Sequence, residues 1–268
     1  HISLCLYEGL NCTTVFGISN DGGETWSISD NNSLCSLDAE IAFIDDQQGI
    51  MALEYYLVGF AVKLYRTDDG GMTWSEYESY IPDYKINSIC SFGDSKFLLA
   101  GRNGKMFQYD VSTDILESLS TFELPETVHK CQFFAEETGY CLAKHETSDY
   151  SSFNTLFTSH DMGLTWENEL DFNRIESDNC MSFTSADTGN IIFTDGFNYT
   201  ILTTDDGGES WFYNVYTADF LSSTSILRFM NSQKGYMGCE FGIYETHDRG
   251  ESWDYVQGID DNSDYGIR

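Results

Sequence analysis

The sequence predicts an all-β chain of six four-stranded antiparallel sheets in series, the architecture of a β-propeller. Two repeats and their period predict it. The first repeat reads Ser/Thr-x-Asp-x-Gly-x-Ser/Thr-Trp. It occurs from Ser19 to Trp26, Thr67 to Trp74, Ser159 to Trp166, Thr204 to Trp211 and Thr246 to Trp253, and it holds all five tryptophans. The second places a phenylalanine six residues before a glycine, at Phe43 and Gly49, Phe133 and Gly139, Phe183 and Gly189, and Phe229 and Gly235. The period is about 45 residues, in the range that marks propellers and solenoids.

Each element follows from these repeats. Asp followed by x-Gly is turn chemistry: the carboxylate accepts N–H groups just ahead, and glycine supplies positive φ. The motif lies between β-prone runs, such as Val62 to Tyr65 before and Trp253 to Val256 after. It therefore joins a third strand to a fourth, with its Trp as an apolar plug. The Phe-to-Gly spacing predicts a first strand, a polar hairpin such as Asp45 to Gln48, and a second strand. The interval from Trp74 to Trp166 is about twice the others and conceals a degraded copy. That copy runs through Lys105 to Tyr109, a polar turn at Asp110 to Asp114, and Ile115 to Glu117, with Leu116 in place of the Trp and a shortened hairpin around Phe92 and Phe97.

The first unit lacks a first strand, and Ser263 to Arg268 at the other end is the expected replacement. Closing the ring with the opposite terminus removes exposed sheet edges. Residues 1–268 then form one six-bladed domain, or seven blades if the natural chain is longer. No apolar run approaches the length of a membrane span, and only two prolines interrupt the chain.

Charge excludes partners. With 44 acidic and 13 basic residues, the net charge of −31 repels phosphate backbones and anionic lipids. Nucleic acid and an anionic membrane surface are not expected partners; a glycan or a protein or peptide ligand, held by a monomer, is.

The Asp-x-Gly-x-Thr-Trp turns resemble the Asp boxes, or BNR repeats, of sialidases and related propellers. With the Phe-to-Gly hairpin added, the chain resembles the propellers known as photosystem II stability and assembly factors. The resemblance covers nearly the whole sequence. It implies that Asp21 and Trp26, Asp69 and Trp74, Asp161 and Trp166, Asp206 and Trp211, and Asp248 and Trp253 do structural work at the outer rim. Assembly factors of that family imply a protein partner bound through an arginine patch, whereas this chain has six arginines in all. Sialidases hold a substrate carboxylate with three arginines and carry Phe-Arg-Ile-Pro before the first box. The nearest approach here, Phe172-Asn173-Arg174-Ile175, follows the fourth unit's box and has no proline.

Functional residues of a propeller are expected where second strands end, at one mouth of the channel. Aligned on the hairpin glycines, those ends carry Glu54, Lys144, Asp195 and Glu240, with Arg102 in the third unit. The following loops add Tyr56, His145, Phe197, Tyr199 and Phe241. Aromatic faces stack on a ligand while charged groups orient it. Tyr56, Arg102, Lys144, His145, Phe197, Tyr199 and Phe241 are the expected ligand-binding set. The expected function is a non-catalytic binding module. The alternative is a glycoside hydrolase using Glu54, Asp195 and Glu240, since that chemistry needs two carboxylates about 5–9.5 Å apart. No nucleophile elbow, zinc helix or phosphate loop is present, and the five histidines are scattered, so no metal or cofactor is expected.

The eight cysteines fit no zinc spacing. Cys90, Cys131 and Cys141 fall in strand positions held elsewhere by Ile41, Met181, Leu227 and Met237, as small core residues would. Cys5 with Cys12, and Cys131 with Cys141, are the pairs a hairpin brings within reach of a disulfide. Asp-box propellers are commonly exported, so the expected location is extracytoplasmic: periplasmic, cell-surface or secreted.

Overall fold

The computed structural model describes residues 2–8, 13–19, 25, 27–31, 39–56, 60–82, 85–102, 104–119, 127–134, 137–146, 152–172, 181–194, 198–217, 224–239 and 242–257. Among them every regular element is a strand. Contacts divide the chain into two compact units, His1–Ser120 and Thr121–Arg268.

The first unit opens with a three-stranded sheet of β1 (Ile2–Glu8), β2 (Thr13–Ser19) and β3 (Ser27–Asn31). Its second sheet contains β4 (Ala39–Phe43), β5 (Gly49–Tyr56), β6 (Phe60–Thr67) and β7 (Ser75–Pro82). The third contains β8 (Ile86–Phe92), β9 (Lys96–Gly101), β10 (Met106–Asp110) and β11 (Ile115–Leu119). The second unit has β12 (Thr127–Phe134), β13 (Thr138–Glu146), β14 (Ser152–Ser159) and β15 (Glu167–Phe172) in its first sheet. Next come β16 (Met181–Phe183), β17 (Gly189–Thr194), β18 (Asn198–Thr204) and β19 (Phe212–Thr217). The last sheet is β20 (Thr224–Phe229), β21 (Gly235–Cys239), β22 (Gly242–Thr246) and β23 (Asp254–Gln257). All pairs are antiparallel and each sheet keeps chain order, as the repeats require. Among the described residues the opening sheet has three strands; the segment expected to supply a further one, 263–268, lies outside them.

First strands of neighbouring sheets pack together within each unit, β4 against β8 and β16 against β20. Fourth strands form the opposite edge of each four-stranded sheet.

The Phe-to-Gly spacing has a packing cause. Phe43, Phe133, Phe183 and Phe229 lie directly across the ladder from Gly49, Gly139, Gly189 and Gly235. Each ring covers its glycine so closely that a Cβ would sit 2.6, 2.4, 2.3 and 2.8 Å from the ring carbons. The same rings meet the indoles of Trp74, Trp166, Trp211 and Trp253 edge-on, with centroids 5.9 to 6.4 Å apart. Such pairs contribute about 0.5–1.5 kcal/mol beyond buried area. The two sequence repeats are therefore one stack of glycine, phenylalanine and tryptophan.

The boxes close on themselves. In the second sheet the Thr67 hydroxyl accepts the Gly71 N–H at 2.8 Å and donates to Asp69 at 2.8 Å. Asp69 accepts the Thr73 N–H at 2.9 Å and its hydroxyl at 2.6 Å. The same bonds form at Asp161, Asp206 and Asp248. Asp21 and Trp26 of the first box lie outside the described residues.

In the second unit adjacent sheets are bonded in a repeating way. The N–H of Phe183 donates to Gln132 Oε1 at 2.9 Å and that of Phe229 to Ser182 Oγ at 2.8 Å. Gln132 and Ser182 each directly precede the Phe of their own sheet. The Tyr140 hydroxyl reaches Ala186 O at 2.5 Å and Gly207 O at 3.0 Å, and the Tyr216 hydroxyl donates to Gly250 O. Each tyrosine thus fastens the next sheet's box.

Cys131 and Cys141 are buried free thiols directly opposite one another. Cys90 is also free and lies on β8.

Candidate functional site

The second strands β5, β9, β13, β17 and β21 all run away from their hairpin glycine or turn, so their C-terminal ends mark one end of each sheet. In the first unit this end is charged. Glu54 near the end of β5 pairs with Lys85, which directly precedes β8, at 3.7 Å, with both side chains largely buried. The Arg102 N–H donates to Lys85 O at 3.0 Å, and its side chain is exposed. Gly101 makes this possible: a Cβ there would lie 1.8 Å from Lys85 O, so only glycine lets the two backbones approach. One carboxylate and two cations are thereby gathered from the second and third sheets. Tyr56 ends β5, and its side chain lies outside the described set.

In the second unit the same end is polar and aromatic. Lys144 and His145 are half-buried on β13. The His145 ring stacks on Phe153, its cross-strand partner, at 4.3 Å and 8°. His145 Nε2 lies 3.1 Å from the hydroxyl of Thr155, which is 2.6 Å from Asp171 Oδ1. Thr155 has one proton, and the carboxylate can only accept. The hydroxyl therefore donates to Asp171 and accepts from His145, which places a hydrogen on Nε2. Asn168 Nδ2 donates to the same Asp171 oxygen at 3.1 Å.

The remaining expected residues divide in two. Tyr199 is buried in the apolar core with Ile191, Ile201 and Leu227, so its ring packs within the sheet. Asp195, Phe197, Glu240 and Phe241 lie outside the described residues. Sequence reading missed Lys85, Thr155 and Asp171. None belongs to a motif; each joins the cluster only through cross-strand or intersheet pairing. Among the described residues no group of three or more His, Cys, Asp or Glu could hold a metal.

The box carboxylates are held below the ordinary range. For Asp69 and Asp206 the largest cause is the hydroxyl bond from Thr73 or Ser210. At Asp161 and Asp248 burial pushes upward, and the bonds from Thr165 and Ser252 outweigh it. These groups are hydrogen-bonded within their own turns.

A family model of the BNR/Asp-box repeat matches residues 65–76, the box of the second sheet. The chain has a β-propeller fold and carries Asp boxes. Solved structures agree on the fold. A propeller titled "YCF48 bound to D1 peptide" superposes with a TM-score of 0.60 at 17% identity, covering 83% of this chain and 66% of that one. This Asp-box propeller thus spans just under two thirds of that YCF48 chain. A structure of U3-55K gives 0.60 at 9% identity, over 93% of this chain and 76% of that one. YCF48 from Cyanidioschyzon merolae gives 0.45 at 11% identity, over 81% and 84% of the two chains. No curated protein matches the sequence. The first of these and the matched box agree with the propeller fold read from the Asp boxes and hairpins.

Proposed function

We propose that this chain is a non-catalytic binding module that holds a protein or peptide ligand at the ends of its second strands. The observation that carries this reading is its fold likeness to a YCF48 propeller solved with a bound peptide. The local chemistry supports it. In a chain of net charge −31, the first unit's ends bring Lys85 and Arg102 together, and the second unit's ends carry Lys144 and a histidine donor. Cations grouped on an acidic chain offer oriented donors to peptide carbonyls and carboxylates. A glycan is the other ligand class such a set serves. The hydrolase reading needs a second carboxylate beside Glu54; its other candidates, Asp195 and Glu240, lie outside the described residues, and Glu54 pairs with Lys85.

A peptide and glycan array probed with the purified chain finds the ligand class. Arg102→Ala and His145→Ala test the two ends separately. A loss of about tenfold in affinity from either variant supports the reading. Unchanged affinity in both places the ligand elsewhere, and turnover of a bound glycan makes the protein an enzyme. Action outside the cytoplasm as a monomer belongs to the same proposal. Cell fractionation and light scattering test those two points.

A further inference from the structure

Sheet edges in natural proteins carry charges or proline that discourage further pairing. Four of the fourth strands obey this rule. β7 has Glu76, Glu78 and Pro82, β11 has Glu117, β15 has Glu167, Glu169 and Asp171, and β23 has Asp254. β19, reading Phe-Tyr-Asn-Val-Tyr-Thr, has neither charge nor proline. It is also apolar where it meets solvent: Phe212, Tyr213 and Val215 are 61, 71 and 56% exposed. Among the described residues β19 pairs only with β18, so its other backbone edge carries no strand.

Acid outweighs base around this neutral edge. Asp205, which pairs with Arg249 of the next box, and Glu209 are exposed in the turn that leads into β19. Glu169 of the neighbouring sheet touches Gly208 in the same turn. At the far end Tyr216 bonds Gly250, which brings the next box turn, with Asp248 and Glu251, beside it. Burial first, then those two carboxylates, push the Tyr216 hydroxyl up to about 12.

We propose that β19 is a docking edge at which an extended basic segment of a partner protein adds as a further strand. The unpaired backbone supplies hydrogen bonds. Tyr213 and Val215, two apart and so on one face, supply apolar contact. Lysine or arginine at alternate positions of the guest meets the carboxylates at both ends. A second copy of this chain is a poor occupant, because each copy carries −31 and antiparallel pairing would juxtapose their acidic turns. This edge is separate from the second-strand ends, so either assignment can fail alone.

The test uses fluorescence anisotropy with the full chain and a labelled peptide, Lys-Val-Lys-Val-Thr-Val-Lys. Controls replace its lysines with glutamate or methylate alternate backbone nitrogens. The proposal expects the basic peptide to bind, more weakly as salt rises, and both controls to fail. Val215→Lys and Tyr213→Lys should each weaken binding by about tenfold, while Tyr255→Lys on β23 and Arg102→Ala leave it unchanged. Should Val215→Lys lose its native circular dichroism, Tyr213→Lys, at the more exposed position, decides. No binding of the basic peptide, equal binding of the acidic one, or affinity unmoved by both β19 variants overturns the proposal. So does a dimer of the unliganded chain that Val215→Lys dissolves, which would make a second copy the occupant.

Discussion

The turn joining β10 to β11 and the Asp box joining β18 to β19 occupy the same place in their sheets and are held by opposite means. In the box, Asp206 is bonded by Thr204 and Ser210 from within the motif. In the shorter turn, Asp114 takes the left-handed conformation at φ 57° and accepts the Tyr109 hydroxyl at 2.6 Å. It also pairs with Arg66 of the neighbouring sheet at 3.0 Å, and its carbonyl accepts from Tyr77 of that sheet. The box aspartate is satisfied by its own motif; Asp114 of the other turn draws its partners from Tyr109 and an adjacent sheet. Their cores differ as well. Phe183 covers Gly189, whereas Phe92 stands opposite Lys96 and the nearby Gly93 is in open space.

The largest expected effect breaks the box side of this contrast. Gly189→Ala places a Cβ 2.3 Å from the Phe183 ring. Tyr140 stacks on that ring at 3.8 Å and 12°, which restricts its movement. The overpacking should cost about 3 kcal/mol. Gly93→Ala meets no atom within 4 Å and suffers only its φ of 57°, about 1 kcal/mol. Urea midpoints of the two variants measure the gap; equal midpoints would mean the stack is looser than its geometry implies.

How much of this could be read in advance follows from the same contrast. A box is local, so its frame of Thr204, Asp206, Gly208, Ser210 and Trp211 is written in eight consecutive residues. The hairpin is nearly as local, since Phe183 and Gly189 are joined by one short turn. Those two signals were enough for the strand order. The Lys85–Glu54 pair and the Thr155 bridge between His145 and Asp171 left no trace in spacing, because their partners are 31, 10 and 16 positions apart on different strands. The burial of Tyr199 is illegible in the sequence for a related reason. The residue sits at a loop boundary in sequence, yet alternation along β18 turns its ring into the core.

Titration sharpens the contrast next. The box aspartates have folded pKa values below their ordinary value, so their contribution is complete above that value and is lost as pH falls through the depressed ones. Stability should therefore fall from about pH 4 downward. Asp69→Asn and Asp206→Asn should each flatten that fall while lowering stability at neutral pH. At the alkaline end the sign reverses. Burial, as the largest cause, pushes Tyr140 and Tyr216 up to about 12, so their contribution holds below pH 10.0 and is lost as pH rises towards 12. Tyr140→Phe should remove part of that alkaline loss. A melting temperature that tracked wild type at every pH would show that the intersheet hydroxyl bonds contribute nothing net.

The smallest effect compares one box with another. At its fourth position the second-sheet box has Gly70 and the fifth-sheet box Gly207, with φ of 72° and 77°. Met162 fills that position in the box before β15, at φ 62°, and Arg249 in the box before β23, at 66°. A side chain pays for the left-handed conformation, and glycine does not. Arg249 recovers something, since its guanidinium bonds Asp205 of the preceding box at 3.0 Å. Met162 is 38% exposed and has no such partner in the hydrogen-bond network. Met162→Gly should therefore raise stability by a few tenths to about 1 kcal/mol, less the added freedom of the unfolded chain. Arg249→Gly should gain less or lose, most clearly at low salt, where an exposed ion pair counts for most. Parallel denaturation of the two variants at low and high salt separates conformational relief from charge. Identical shifts in both would mean that the Asp205 pair adds nothing and that the box position alone sets the preference.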